Sequence, residues 1–191
     1  MEEHMQERAA KTHDALIRAA AEEFDRQGYE GASLSRVSKG ACASMGALTF
    51  HFPTKRDLAV AVRAAGRDAV AHVVRDAADD TRAPLEALEG LTFALVRLLE
   101  RDVVARAAAR LERDSPPGGP EAWPVREWTR ALRALLERAT VAGELRPGVS
   151  LDTAGVLLTW LVEGSRVVPA GWAEEMWEVL LHGLSAKPPP R

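Results

Sequence analysis

No stretch of this chain alternates apolar and polar residues for long enough to make a strand. Its apolar residues instead recur three and four positions apart almost from end to end, which is the spacing of one face of an α-helix. In the first such stretch, expected from Glu7 to Gln27, Leu16, Ile17, Ala20 and Phe24 share a face, and Gly28 supplies a stop. Two very short segments follow. Ser33 reads as the N-cap of a helix from Leu34 to Gly40 and Ser44 as that of a helix from Met45 to Phe50, with only Ala41, Cys42 and Ala43 between them. Pro53 ends the second. Thr54, with Asp57 three residues on, opens a long helix with Leu58, Val62, Ala65, Ala69 and Val73 on one side. Pro84 suits the first turn of the next helix, which carries Leu85, Leu88, Leu91, Leu95, Leu98 and Leu99. A further piece is expected from Asp102 to Arg113, then a loop at Ser115–Pro120. Helices are expected again from Trp123 to Ala142, from Thr153 to Val168 with Asp152 as cap, and from Trp172 to Leu184. The expected fold class is all-α: a three-helix N-terminal unit to about Phe52, then a larger helical body.

Composition narrows the function. A chain of 191 residues buries a core without metal or disulfide staples, and the single cysteine, Cys42, excludes an intramolecular disulfide and a cysteine-based zinc site. Met1–Gln6 is polar with no apolar run behind it, so no signal peptide is expected. The longest apolar stretch, Ala154–Val162, is too short to span a bilayer, so a cytoplasmic protein without a membrane partner is expected. Asn is absent and Ile and Tyr occur once each, a bias toward GC-rich codons that points to a high-GC bacterial genome. The same bias accounts for the excess of Arg over Lys, so that ratio carries no functional meaning. HExxH, GxGxxG, phosphate-loop and CxxC patterns are all missing. Ser44 precedes Gly46, but Cys42 stands at the first glycine of a nucleophile elbow and no strand leads into it. The expectation is a non-enzyme with no cofactor and no metal.

The formal charge of −3 hides an uneven distribution. From Gly31 to Arg56 the charges are Arg36, Lys39, Lys55 and Arg56, with no acid among them, while Glu22, Glu23, Asp25 and Glu30 lie before and Asp57 after. Two short helices joined by a three-residue turn match the helix-turn-helix pattern, whose second helix enters the DNA major groove. An acid-free surface suits an anionic partner.

At this point the residues also resemble a family. Ile17-x-Ala19-Ala20-x-x-x-Phe24-x-x-x-Gly28-Tyr29, Ser33-Leu34, Ser44-x-Gly46-Ala47-Leu48 and His51-Phe52-x-x-Lys55-x-x-Leu58 are similar to the DNA-binding region of TetR-family regulators. Phe50-His51-Phe52-Pro53, Leu91-Thr92-Phe93, Glu127-Trp128, Gly164-Ser165-Arg166-Val167-Val168 and Glu175-Met176-Trp177 resemble the γ-butyrolactone receptor subgroup over most of the chain. The resemblance implies a homodimeric, ligand-responsive transcription repressor that controls secondary metabolism or development. It implies a helix-turn-helix DNA-binding domain at 1–53, a ligand-binding and dimerisation domain at 54–185, and a flexible tail at 186–191. The alternatives are a drug-sensing regulator of an efflux pump and a receptor-like protein with weakened DNA binding. The last is motivated by three departures: Cys42 where the family has Gly in the turn, Thr49 where it has Tyr, and Met45 where the subgroup carries Lys.

The DNA candidates follow from docking this motif on a palindromic operator. Ser44 caps the reading helix and offers its hydroxyl to phosphate, and Met45, Ala47 and Thr49 are the residues that would face bases. Leu34, Val37, Leu48 and Phe52 read as the three-helix core. Arg36, Lys39 and Lys55 are phosphate candidates or ordinary solvated charges, with Lys55 at a helix start where N–H groups also favour anions. His51 is either a backbone contact or a packing residue. In the body, the resemblance gives Trp128 as a wall of the small-molecule pocket, with an ordinary core tryptophan as the other reading. Leu88, Phe93, Val96 and Leu132 are its neighbours by helical spacing, Thr159 and Ser165 are possible hydrogen-bond donors, and Arg63 would suit a carboxylate if it pointed inward. Leu157, Leu158, Trp160, Leu161, Trp177, Leu180 and Leu181 are expected at the dimer interface or in the core.

Overall fold

The computed structural model describes residues 2–78, 81–114, 125–165 and 171–186. The expected loop at 115–120, the start of the helix at 123, the segment 166–169 and the tail from 187 lie outside the described residues. Among the described residues there are nine helices: α1 Glu2–Gly31, α2 Leu34–Gly40, α3 Met45–His51, α4 Lys55–Ala78, α5 Pro84–Arg101, α6 Val103–Arg113, α7 Val125–Val141, α8 Leu151–Gly164 and α9 Trp172–Leu184. Among these residues the one pairing of extended backbone is an isolated bridge between Leu145 and Ser185. The fold is all-α.

Contacts divide the chain into two compact units. One comprises Met1–Asp68 with Asp102–Trp123, the other Ala69–Arg101 with Pro124–Arg191. Helix α6 packs on α1 and so groups with the N-terminal helices. The chain path of α4 runs from the first unit into the second.

In the first unit α1 packs on α6 and α2, and α2 on α3. Leu16, Ala20, Phe24, Val37, Leu48, Phe52, Leu58 and Val62 are buried, and Leu34 is only half-buried. Each large side chain among them contributes roughly 1.5–3 kcal/mol on burial. The α6 contribution is a run of small residues, Ala105, Ala107, Ala108 and Ala109. These let helices approach closely: a Cβ on Gly66 of α4 would lie 2.4 Å from that of Ala108. The expected stop of α1 at Gly28 is instead a kink, with φ 70° and ψ −179°, after which helix resumes to Gly31. Positive φ is open to glycine without the Cβ clash that other residues suffer.

Two expected caps are also corrected. Ser33 holds extended backbone at the start of α2, but its side chain caps nothing. Its backbone N–H is instead donated to Glu23 Oε1 at 3.1 Å. The cap of α8 is Ser150, whose Oγ accepts the Thr153 N–H at 3.3 Å, and not Asp152, whose carboxylate is taken by Arg133. The Thr54–Asp57 box forms as expected: Asp57 Oδ2 accepts from the Thr54 N–H, and Thr54 Oγ1 accepts from the Asp57 N–H.

In the second unit α5 packs on α7, α8 and α9, α7 on α8, and α8 on α9. Its core is built from Leu88, Leu91, Leu95 and Leu99 of α5, Trp128, Leu132 and Leu136 of α7, Leu158, Leu161 and Val162 of α8, and Trp177 of α9. Backbone bonds from Arg146 N–H to Leu184 O and from Ala186 N–H to Glu144 O, both 2.8 Å, tie the end of α9 to the turn after α7.

Candidate functional site

The reading head is built around one turn. At the end of α2 the Ala43 N–H is donated to Ser38 O at 3.0 Å and the Cys42 N–H to Lys39 O at 3.1 Å. These are the two bonds of a Schellman motif, whose left-handed position normally carries Gly. Here Cys42 occupies it with φ 51°, so the turn keeps its shape and the cysteine bears the strain. Ser38 Oγ adds a bond to Ala43 O at 3.0 Å. Ser44 then takes extended backbone and its Oγ accepts the Ala47 N–H at 3.1 Å, which fixes the start of α3.

Leu48 and Phe52 are buried beneath α3, so positions 46, 49 and 50 form its outer face. Ser44, Met45 and Thr49 are exposed, and Ala47 is half-buried. The Thr49 hydroxyl donates to Met45 O and Gly46 O, at 3.1 and 3.2 Å. Phe50, absent from the sequence-derived candidates, is 82% exposed. The signal was available: Phe50 lies four residues from Gly46 and beside Thr49, off the Leu48–Phe52 core line. His51 is half-buried, edge-on to His13 of α1 at 5.8 Å between centroids, and His13 also lies against Phe52 at 5.0 Å. It therefore packs.

The cations are less available than their spacing suggested. Arg36 Nε donates to Glu23 Oε1 at 2.5 Å and its Nη2 to Gly31 O at 2.6 Å. Glu23 is 1% exposed and also receives Arg26 Nη2 at 2.8 Å. Burial alone would raise the Glu23 carboxyl, but the hydrogen bonds from Arg26, Arg36 and the Ser33 N–H outweigh it and hold it below its ordinary value. Glu23 was missed in sequence because a lone acid on an apolar helix face gives no hint of which cations will reach it. Lys55 Nζ donates to Glu30 O at 3.1 Å and Ala32 O at 3.3 Å and lies 4.8 Å from the centre of the Tyr29 ring. It pins the start of α4 to the end of α1. Lys39 is exposed.

In the second unit, Leu88, Val96, Leu132 and Trp128 are buried on the packed pair α5 and α7. Trp128 Nε1 is buried without a hydrogen-bond partner, and so are Trp177 Nε1 and Thr129 Oγ1. Phe93 meets Trp177 edge to face at 5.9 Å, which adds Trp177 to the expected set. The two expected hydroxyl donors are used within their own helix: Thr159 Oγ1 bonds Gly155 O and Ser165 Oγ bonds Val162 O, each at 2.8 Å. Thr159 also lines a 330 Å³ groove with Thr129, Arg133 and Trp160. Arg63 belongs to the first unit and donates from Nη2 to Leu111 O at 3.0 Å.

Helices α8 and α9 present an apolar face. Leu157, Trp160, Trp172, Met176 and Val179 are exposed on it, Trp160 by 66% and Val179 by 74%, around a 340 Å³ groove. Leu158, Leu161 and Trp177, expected at an interface or in the core, are buried in the core of the unit. Among the described residues no helix is long and apolar enough to cross a membrane, and no group of three His, Cys, Asp or Glu side chains could hold a metal ion.

A capped seven-residue helix set behind a tight left-handed turn, with its outer face open, defines a DNA-binding regulator of the helix-turn-helix class. The family model for bacterial regulatory proteins of the tetR family matches residues 16–62. A solved γ-butyrolactone receptor, an ArpA-like protein, is 34% identical with a TM-score of 0.85, over 94% of this chain and 90% of that one. CprB from Streptomyces coelicolor, solved with its biological operator sequence, is 34% identical with a TM-score of 0.82, over 93% of this chain and 90% of that one. The A-factor receptor protein of Streptomyces griseus is 29% identical over an alignment 192 positions long that covers 94% of this chain and 66% of that protein. The chain belongs to the TetR family, among its γ-butyrolactone receptor-like members.

Proposed function

We infer that the protein is a ligand-responsive repressor that binds a palindromic DNA operator as a homodimer and is released from it by a small signalling molecule of γ-butyrolactone type. The observation that carries the DNA half is the outer face of α3, where Ser44, Met45, Thr49 and Phe50 stand exposed on a helix fixed by its cap and its turn. Phe50 and the Thr49 methyl suit thymine methyls, and Ser44 suits phosphate. One seven-residue helix touches too few base pairs for specificity. The exposed apolar face of α8 and α9 is of the kind that buries itself in a partner, and a second copy would supply the second half-site. A cytoplasmic regulator without catalytic activity is the reading that fits these features.

The two buried indole N–H groups support the ligand half. A buried donor without an acceptor is costly, roughly 1–3 kcal/mol, and an incoming carbonyl or hydroxyl oxygen would relieve that cost. Ligand and DNA would then select different populations of the body, with α4 as the chain path that carries the difference to the reading head. The contact grouping notwithstanding, residues 1–53 are the proposed grip and 54–185 the proposed sensing and dimerising part.

The test is selection of bound fragments from random DNA at stated salt. A recovered palindrome whose binding weakens steeply with salt is expected. Replacing Trp128→Phe keeps the ring and removes the N–H. It should leave operator affinity within about twofold and weaken release by a γ-butyrolactone about tenfold. Recovery of no sequence by the wild-type chain at low salt would overturn the DNA half, and unchanged release in Trp128→Phe the assignment of that indole.

A further inference from the structure

The seven residues of α3, Met45–His51, include no Lys, Arg, Asp, Glu, Asn or Gln. Those are the side chains that pair with base edges in the major groove: Arg and Lys with guanine, Asn and Gln with adenine, Asp and Glu with cytosine. Two side chains of the helix can donate a hydrogen bond, and both are turned inward. Thr49 gives its proton to Met45 O and Gly46 O, at 3.1 and 3.2 Å, and His51 packs edge-on to His13. What the outer face has left to offer is carbon and sulfur: Met45, the Thr49 methyl and the Phe50 ring, exposed around Gly46.

We propose that α3 reads its operator through C5-methyl groups, that of thymine and equally that of 5-methylcytosine, so that a cytosine standing at a contacted position becomes a match once it is methylated. The proposal rests on the reading of α3 as the helix that enters the major groove. In that groove the thymine methyl is the one apolar group among the four unmodified bases, and Thr methyls and Phe rings are side-chain groups that pack on it. 5-Methylcytosine carries its methyl on the same ring carbon. A face without outward donors tells the two pyrimidines apart by that methyl rather than by the oxygen or amine beside it.

Phe50 is the anchor of this face. Its ring is 82% exposed, yet it is propped from one side by the edge of His51, 5.4 Å between centroids, which His13 of α1 backs in turn at 5.8 Å. The packing beneath α3 thus holds the ring in place before any base arrives. Gly46, four residues before Phe50, lies on the same face. Glycine is a poor helix former, and the packing of α3 does not call for one: beyond the helix backbone, a Cβ on Gly46 would meet only Ser44 Oγ, at 3.9 Å. The open space there lies between Met45, Thr49 and Phe50, where a base edge can approach.

The palindrome that selection recovers from random DNA tests this, rebuilt as duplexes in which each thymine of the half-site is replaced in turn, in both half-sites at once, by uracil, cytosine or 5-methylcytosine. At the contacted position uracil should weaken binding of the full chain about tenfold, the worth of two buried methyl groups. Cytosine should weaken it at least as much, and 5-methylcytosine should bring it back to within about threefold of thymine. Phe50→Ala should shrink the thymine-to-uracil ratio from about tenfold to less than about threefold, and the exposure of that ring keeps the change from threatening the fold. Recovery of no palindrome overturns the operator reading and this proposal with it. A palindrome bound as tightly with uracil at every thymine overturns the proposal alone. So does 5-methylcytosine that binds no better than cytosine, or a thymine-to-uracil ratio that Phe50→Ala, Met45→Ala and Thr49→Ser all leave unchanged.

Discussion

Glu23 in the first unit and Trp128 in the second are each 1% exposed, and each carries a polar atom into the interior of its own unit. Glu23 meets two guanidinium groups and a backbone N–H there, whereas the Trp128 N–H meets nothing, and Trp177 and Thr129 repeat that pattern. The difference separates two kinds of construction. The buried acid of the first unit is satisfied from within and holds α2 in a fixed place beneath the reading helix. The second unit holds donors without acceptors and leaves an apolar face uncovered on α8 and α9, which the proposed ligand and second copy would complete from outside.

The largest effect should come from cutting the satisfied network. Glu23→Ala leaves Arg36, Arg26 and the Ser33 N–H without their acceptor. Losing one partner of a buried ion pair costs several kcal/mol, but Arg26 and Arg36 are 64% and 52% exposed and water can take them back. A loss of about 2–3 kcal/mol in urea unfolding is expected, with operator affinity falling alongside because α2 loses its anchor. The carboxyl is held below its ordinary value of 4.5, so its stabilisation is fully present above that value and is lost as pH falls through the lower folded value. The stability gap between wild type and Glu23→Ala should therefore close on acidification. A gap that stays constant to low pH would mean the carboxylate is not what stabilises this region.

The same operation in the second unit should have the opposite sign. Thr129→Val removes a buried hydroxyl with no partner and keeps the shape of the side chain. An unsatisfied buried group is costly, so its removal should raise stability by about 1 kcal/mol. A loss instead would show that the hydroxyl is partnered, and the contrast between the units would fail at that residue.

Much of this was legible in the amino-acid order. Short helices at 34–40 and 45–51, the Thr54–Asp57 box and the Pro84 start are local devices, and local chemistry fixes them. What could not be read was which cation reaches which acceptor. Arg36 and Lys55 looked like phosphate ligands because they sit in an acid-free stretch, yet Arg36 turns to an acid thirteen residues upstream and Lys55 to carbonyls more than twenty residues away. Arg63 finds the carbonyl of Leu111, forty-eight residues on. Likewise Leu158, Leu161 and Trp177 could not be told from Leu157, Trp160 and Val179 by hydrophobicity, since only the rotation of α8 and α9 against their neighbours decides which apolar residues face inward.

The smallest expected effect qualifies the comparison from the other side, because the first unit is not free of strain. Cys42 holds φ 51° while its N–H and that of Ala43 make both bonds of the turn. Left-handed backbone costs a residue with a Cβ roughly 1–2 kcal/mol. Glycine removes that cost but brings a more flexible unfolded chain, which offsets about 0.5–1 kcal/mol of the gain. Cys42→Gly should therefore stabilise the protein by about 0.5 kcal/mol, a rise in melting temperature of about 1–2 °C for a chain of this length. Because the hydrogen bonds of the turn are backbone bonds, the variant keeps them, and operator affinity should stay within about twofold. A drop in stability would mean that the thiol makes contacts worth more than the strain, and a large change in operator affinity with stability unaltered would mean that Cys42 itself touches DNA.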